Sequence, residues 1–310
     1  MNPLKLCFVL ALAAGAAQAE PVTIESCGAS FTYDAPPSRA ITLNQQATEV
    51  MLALGLQDRM VGTAYMDDAI PEQWRAAYDT VPVLAEKYPA AEVVLAQEPD
   101  FLFAGFGSAF SEDNLGDVHQ WHDLGIGTYL VDASCKAAHP KDVSLTQAPI
   151  LRDIEVIGDI FGVADRADVL IAETRARIDA VQNDPAGGGR TAFIYDSGTD
   201  TPYSIGCCGG PALLARTAGL KSISADVSGT WIDLAWERVV AEDPDVILLI
   251  EADWSTAADK RAHLENDPVL AELSAVRNGR YVVVPFSETL LGMRFADGVE
   301  RVNAQLKALD

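Results

Sequence analysis

Residues 149–183 read PILRDIEVIGDIFGVADRADVLIAETRARIDAVQN, and Ile150, Ile154, Ile157, Phe161, Ala164, Ile171, Ile178 and Val181 fall three, four or seven positions apart. Those intervals place them on one face of a helix. The stretch sits near the midpoint of the 310-residue chain and is followed by Gly187-Gly188-Gly189, a run that suits a turn or linker. It therefore reads as a helical strut between two lobes. Gly162 and Asp165 divide it: 149–161 completes the first lobe, Asp165 is expected as an N-cap, and the connector proper spans 166–183. At about 1.5 Å per residue the connector is ~27 Å long. One helix bends less freely than paired loops, so modest lobe closure is expected. The expected divisions are a leader at 1–19, a first lobe at 20–163, a connecting helix at 164–184 and a second lobe at 185–310.

Outward from the strut, both halves alternate strand and helix. A small hairpin is expected around Cys27-Gly28, then strands at 39–43, 60–64, 101–104 and 128–131 separated by helices at 47–55, 91–97 and 113–124. The second half repeats the scheme with strands at 191–195, 246–250 and 280–284 and helices at 211–218, 235–241 and 264–273. Strands separated by helices imply an α/β fold with a parallel, doubly wound sheet in each lobe. An internal repeat supports two related lobes. EVVLAQEPDFLF at 92–103 aligns without gaps on ERVVAEDPDVIL at 237–248, with five of twelve positions identical. A helix ending before proline explains Pro99 and Pro244. The shared Glu92 and Glu237 lie near helix N-termini, where the macrodipole favours a carboxylate, so capping is one reading of them.

The first nineteen residues hold Lys5, an apolar run at 6–17 and Ala17-Gln18-Ala19 before Glu20. This is the pattern of a cleaved secretory signal, and it predicts a soluble, exported mature chain. A lipoprotein signal needs cysteine at the cleavage point, whereas Cys7 lies inside the apolar run. Four cysteines remain. An oxidising compartment favours a Cys27–Cys135 bridge within the first lobe, whereas adjacent Cys207 and Cys208 are expected as thiols because neighbouring Cα atoms lie closer than usual for a disulfide. A net charge of −23 repels nucleic acid and suits a soluble monomer.

Catalytic and metal signatures are missing. The chain has no G-x-S-x-G, H-E-x-x-H or P-loop motif. FAGFG at 103–107 and IGCCGG at 205–210 do not fit G-x-G-x-x-G. His119 and His122 have i, i+3 spacing but no third ligand, so no resident metal or cofactor is expected. An exported enzyme with Cys207 or Cys208 as nucleophile is disfavoured because no histidine lies nearby in sequence. In open α/β sheets ligands sit beyond the carboxyl ends of the strands. That edge supplies Asn44, Gln45, Tyr65, Met66, Phe106 and Ser108 from the first lobe and Tyr203, Trp231, Trp254, Phe286 and Arg294 from the second. Together they predict an aromatic cleft with few charges. Packing is the alternative for each aromatic, and pairing with a carboxylate is the alternative for Arg294.

The segment YDSG at 195–198 with Pro202-Tyr203, then ADV at 225–227, Trp231, and WERVVAEDPDVI at 236–247, resembles the second lobe of periplasmic binding proteins for ferric siderophores and cobalamin. LSAVRNGRYVVVP at 273–285 is similar to the same family. The resemblance implies two Rossmann-like lobes joined by one long helix, a metal chelate held between them, and delivery to an ABC permease without catalysis. It implies that Glu92 and Glu237 dock on the permease and that Arg294 is a cleft arginine meeting an anionic rim. A ferric siderophore is the first ligand it implies, with corrinoid, haem or another anionic metabolite next. Cys207 and Cys208 depart from the small residues usual after Tyr203, and Tyr65 is the one direct metal ligand the pattern leaves.

Overall fold

The computed structural model describes residues 21–135 and 144–309; the signal at 1–19 lies outside them. The chain opens with a hairpin, β1 (Val22–Ser26) and β2 (Ala29–Tyr33), paired antiparallel. The first lobe continues with β3 (Ala40–Leu43), α1 (Gln45–Ala53), β4 (Met60–Ala64), α2 (Glu72–Tyr78), β5 (Val83–Ala85), α3 (Ala91–Leu95), β6 (Phe101–Ala104), α4 (Val118–Asp123) and β7 (Gly127–Leu130). Its sheet runs β5-β4-β3-β6-β7, parallel throughout. All four residues of β3 and of β6 are buried, which is why AITL and FLFA read as continuous apolar runs: helices cover both faces.

Helices α5 (Ala148–Ile160) and α6 (Ala164–Asn183) lie on either side of Gly162, at the division expected within 149–183. Gly162 breaks them with φ 68°, a left-handed backbone that glycine adopts freely. They pack together where Gly158 meets Ala167: a Cβ on Gly158 would lie 2.4 Å from the Ala167 Cβ. Asp165 is not the N-cap expected of it. Val163 holds that position, and Asp165 sits in the first turn, where its charge favours the positive end of the helix.

The second lobe comprises β8 (Thr191–Ser197), β9 (Tyr203–Ile205), α7 (Gly210–Thr217), β10 (Lys221–Ser222), β11 (Trp231–Asp233), α8 (Trp236–Glu242), β12 (Val246–Glu251), α9 (Ala257–Asn266), α10 (Ser274–Arg277), β13 (Tyr281–Pro285), α11 (Phe286–Thr289) and α12 (Phe295–Ala308). Its sheet departs from the all-parallel expectation. β8, β12, β13 and β10 are parallel, but β9 runs antiparallel to β8 and β11 antiparallel to β9, giving the order β11-β9-β8-β12-β13. The helix expected at 264–273 is displaced. α9 begins at Ala257 because Thr256 caps it, accepting from the Asp259 amide at 3.1 Å.

The repeat has a structural counterpart. Asp100 accepts from the amides of Ser38 and Arg39 at 2.7 and 2.8 Å, just before β3. Asp245 accepts from the Thr191 amide at 2.8 Å, at the start of β8. In each lobe the aspartate after the helix–proline turn ties down the first strand of the sheet.

One apolar cluster serves both lobes. It runs from Ile150, Ile154 and Ile157 of α5 through Ile178 and Val181 of α6 to Val299 and Val302 of α12. Smaller clusters around Ile41, Leu102 and Trp121 and around Phe193, Ile247 and Leu264 lie beneath the outer faces. Arg177 of α6 reaches Asp297 and Glu300 of α12, fastening the connector to the last helix. Cys27 and Cys135 are bridged with Cα atoms 5.0 Å apart, joining the hairpin to the end of the first lobe.

Candidate ligand-binding cleft

The carboxyl ends of β3 and β4 turn sharply. Asn44 has φ 78° and Tyr65 φ 63°, a region that side-chain-bearing residues seldom occupy. Asn44 is fully buried. Its Oδ1 accepts from the Tyr88 hydroxyl at 3.1 Å and the Phe106 amide at 3.2 Å, so it clamps the loop at 105–106 and offers no surface to a ligand, contrary to expectation. Gly105 fits this crowded spot because a Cβ there would lie 2.5 Å from Gln46 Oε1. Tyr88, which no sequence signal marked, also pairs with Ser108 Oγ at 2.8 Å and meets Tyr65 edge to face at 4.8 Å. Lys87 Nζ stands 4.2 Å over the Tyr65 ring.

The second lobe presents a continuous aromatic face. Tyr203 of β9 and Trp231 of β11 stack at 6.2 Å and 15° because the antiparallel register pairs Trp231 with Ile205, leaving Tyr203 its diagonal neighbour. Trp231 stacks in turn on Phe286 at 5.8 Å, and Trp254, 54% exposed, meets Phe286 edge-on at 4.9 Å.

Between the lobes lies a cavity of about 360 Å³. Gln46, Phe106 and Leu145 line one side, and Tyr203, Trp231, Cys208 and Leu291 the other. Of the residues named from sequence, Phe106, Tyr203 and Trp231 line it, whereas Asn44, Tyr65, Ser108, Trp254 and Arg294 do not; Ser108 lines a separate hollow with Phe31 and His119. Gln46 Oε1 has no hydrogen-bond partner among the described residues.

Arg294 does not line this cavity. Only 7% exposed, it stands with Nε 3.0 Å from Glu49 Oε1 and Nη2 3.6 Å from Asp68 Oδ2. Asp68 also accepts from the Ser287 amide at 3.0 Å. Sequence offered pairing with a carboxylate as an alternative but could not name the partners, since Glu49 and Asp68 belong to the other lobe. Burial pushes the Glu49 carboxyl up to about 7 even with Arg294 and Gln45 beside it, and burial raises Asp67 to about 6.

Cys207 and Cys208 are joined, correcting the expectation of thiols. Their Cα atoms are 3.7 Å apart, an ordinary spacing for neighbours, and the turn before α7 brings both sulfurs together. His122 lies against Phe31 with ring centroids 3.5 Å apart and accepts from the Thr128 amide at 3.2 Å, a packing role. Among the described residues no group of three histidine, cysteine or carboxylate side chains is arranged for a metal ion, and no helix is long and apolar enough to cross a membrane.

Residues 41–288 match the sequence profile of the periplasmic binding proteins. The chain belongs to that family. Over 91% of its length it is 24% identical to 84% of "Uncharacterized ABC transporter substrate-binding lipoprotein YvrC" of Bacillus subtilis. A "Cobalamin-binding protein" of Halobacterium salinarum is 26% identical over 83% of this chain, which spans 64% of that relative. The solved structure of an "ABC-type Fe3+-hydroxamate transport system" protein from Saccharomonospora viridis superimposes with TM-score 0.75 at 27% identity, covering 93% of this chain and 99% of its own. This periplasmic binding protein is thus the substrate-binding, non-enzymatic component of an ABC transporter.

Proposed function

We propose that the protein captures a ferric siderophore between its lobes and hands it to an inner-membrane permease. One observation carries the reading: the Tyr203–Trp231–Phe286–Trp254 face beside the inter-lobe cavity. A ferric chelate is bulky and partly apolar, and aromatic walls bind such surfaces by burial and by stacking on its faces. The hydroxamate transporter protein similar to this chain supports that ligand class. With Arg294 paired to Glu49, recognition rests on stacking and on polar groups such as Gln46, Tyr65 and Ser108 rather than on an arginine at an anionic rim. A corrinoid is the second reading, favoured by the named ligand of the Halobacterium relative.

Titration of tryptophan fluorescence with a ferric trihydroxamate, haemin and cyanocobalamin tests both. Quenching by the trihydroxamate is expected; a response to cyanocobalamin alone would transfer the assignment, and silence with all three would end the chelate reading. Glu92 and Glu237, both exposed in the first turns of α3 and α8, are proposed to meet permease arginines. Glu92→Ala with Glu237→Ala should abolish uptake by cells while leaving ligand affinity of the purified protein intact; the reverse pattern would refute the docking role.

Export and cleavage after Ala19, with the protein acting as a free periplasmic monomer, belong to the same proposal. The Bacillus relative is by name a lipoprotein, but here Glu20 comes directly after Ala19. An intact mass starting at Glu20 is expected, and an acylated species would contradict it.

A further inference from the structure

The bridge between Cys207 and Cys208 has no evident use in holding the fold. A cross-link between neighbours closes almost no loop and so removes little freedom from the unfolded chain. The turn it occupies is already fixed. Gly206 N donates to Thr230 O at 3.0 Å, Cys207 N to Val227 O at 2.8 Å, and Thr230 Oγ1 to Cys208 O at 3.2 Å. Packing is equally tight: a Cβ on Gly206 would fall 2.4 Å from Gly229 O, on Gly209 2.2 Å from Thr230 Cγ2, and on Gly210 2.2 Å from Thr289 O. What the bridge does alter is the cavity wall, because Cys208, though 4% exposed, lines the cavity beside Tyr203 and Trp231.

We propose that the Cys207–Cys208 disulfide is a ligand-contact element of the cleft, and that the cleft holds its ligand in the disulfide state and releases it in the dithiol state. The proposal rests on the reading of the cleft as the ligand site. A disulfide is polarisable and carries no donor, so it extends the aromatic face as an apolar surface. Reduction by a small dithiol breaks the sulfur–sulfur bond: the reductant's two sulfurs become joined, and its two protons end on Cys207 and Cys208. The product has two separate thiols that rotate independently, and Cys208 then brings an S–H donor to the cavity wall. A chemical change at one turn thereby reaches the surface that Trp231 and Tyr203 present.

Peptide mapping of the unreduced mature protein comes first; two bridges are expected, and free thiols at 207 and 208 would overturn the proposal. Affinity is then compared between wild type and Cys207→Ser with Cys208→Ser, a variant that keeps the Cys27–Cys135 bridge. The probes are a ferric trihydroxamate and the aromatic dye 8-anilinonaphthalene-1-sulfonate. Binding at least tenfold weaker in the variant, with an unchanged melting temperature, is expected; equal affinity for the probe that wild type binds refutes the contact. A wild type that takes the dye and no chelate fails the siderophore reading, while the dye comparison still decides the role of the bridge. As a second measurement on native sequence, wild type treated with a dithiol should lose affinity in step with thiols appearing at 207 and 208 and regain it on reoxidation. Unaltered affinity with those thiols alkylated would sink the idea even if the serine variant misfolds.

Discussion

Arg294 at the start of α12 lies 3.0 Å from Glu49 of α1, so the side chain best suited to greet an anionic ligand instead ties the two lobes together. Both partners are buried, and Asp68 and Ser287 complete the contact. Breaking a buried pair leaves an uncompensated charge, typically at a cost of about 3–5 kcal/mol. At pH 8, where Glu49 is ionised, Arg294→Met should lower the urea midpoint accordingly, whereas a direct ligand role would show as lost affinity with little change in stability.

The same cluster sets a pH dependence. An acid whose carboxyl titrates at about 7 in the folded protein, against 4.5 when unfolded, binds a proton more tightly in the native state. Stability from Glu49 is therefore present below pH 4.5 and is lost as pH rises to about 7. Thermal melts should show higher stability at pH 5 than at pH 8, by on the order of 1–3 kcal/mol from this residue. Glu49→Gln should flatten the profile; a profile as steep as wild type would exclude Glu49 as its source.

Trp231 sits between Tyr203 and Phe286, while Trp254 touches Phe286 at one edge only. Trp231→Ala should weaken binding of the ferric trihydroxamate by more than tenfold, and Trp254→Ala by less. An inverted order would move the ligand toward the outer end of the face.

The Cys27–Cys135 bridge closes a loop with a sequence separation of 108. In the chain-entropy model such a loop contributes about 4–5 kcal/mol. Cys27→Ser with Cys135→Ser should reduce unfolding free energy by that order, and denaturant titration of the two proteins would reveal it.

Much of this fold was legible because buried parallel strands are written as uninterrupted apolar runs: AITL, FLFA and VILLI declare β3, β6 and β12 outright. The strands β9, β10 and β11 were not, for they have two or three residues each and exist by pairing with β8 or with one another. α12, absent from the elements expected above, does carry a helical stripe in Phe295, Val299, Val302 and Leu306. α4 begins at Val118 rather than 113 because Gly116, with φ 73°, interrupts the chain and Asp117 then caps the helix. For the cleft, the sheet-edge argument brought Phe106, Tyr203 and Trp231 to one cavity. It could not anticipate Tyr88 or name the carboxylates that meet Arg294, which are set by partners distant in sequence.

The apolar cluster shared by α5, α6 and α12 has a consequence for transport. Lobes that rest on common ground resist being parted, because opening them exposes shared apolar surface to water. A wide hinge opening therefore works against that shared surface, and ligand exchange is expected to need only small adjustments at the mouth of the cleft.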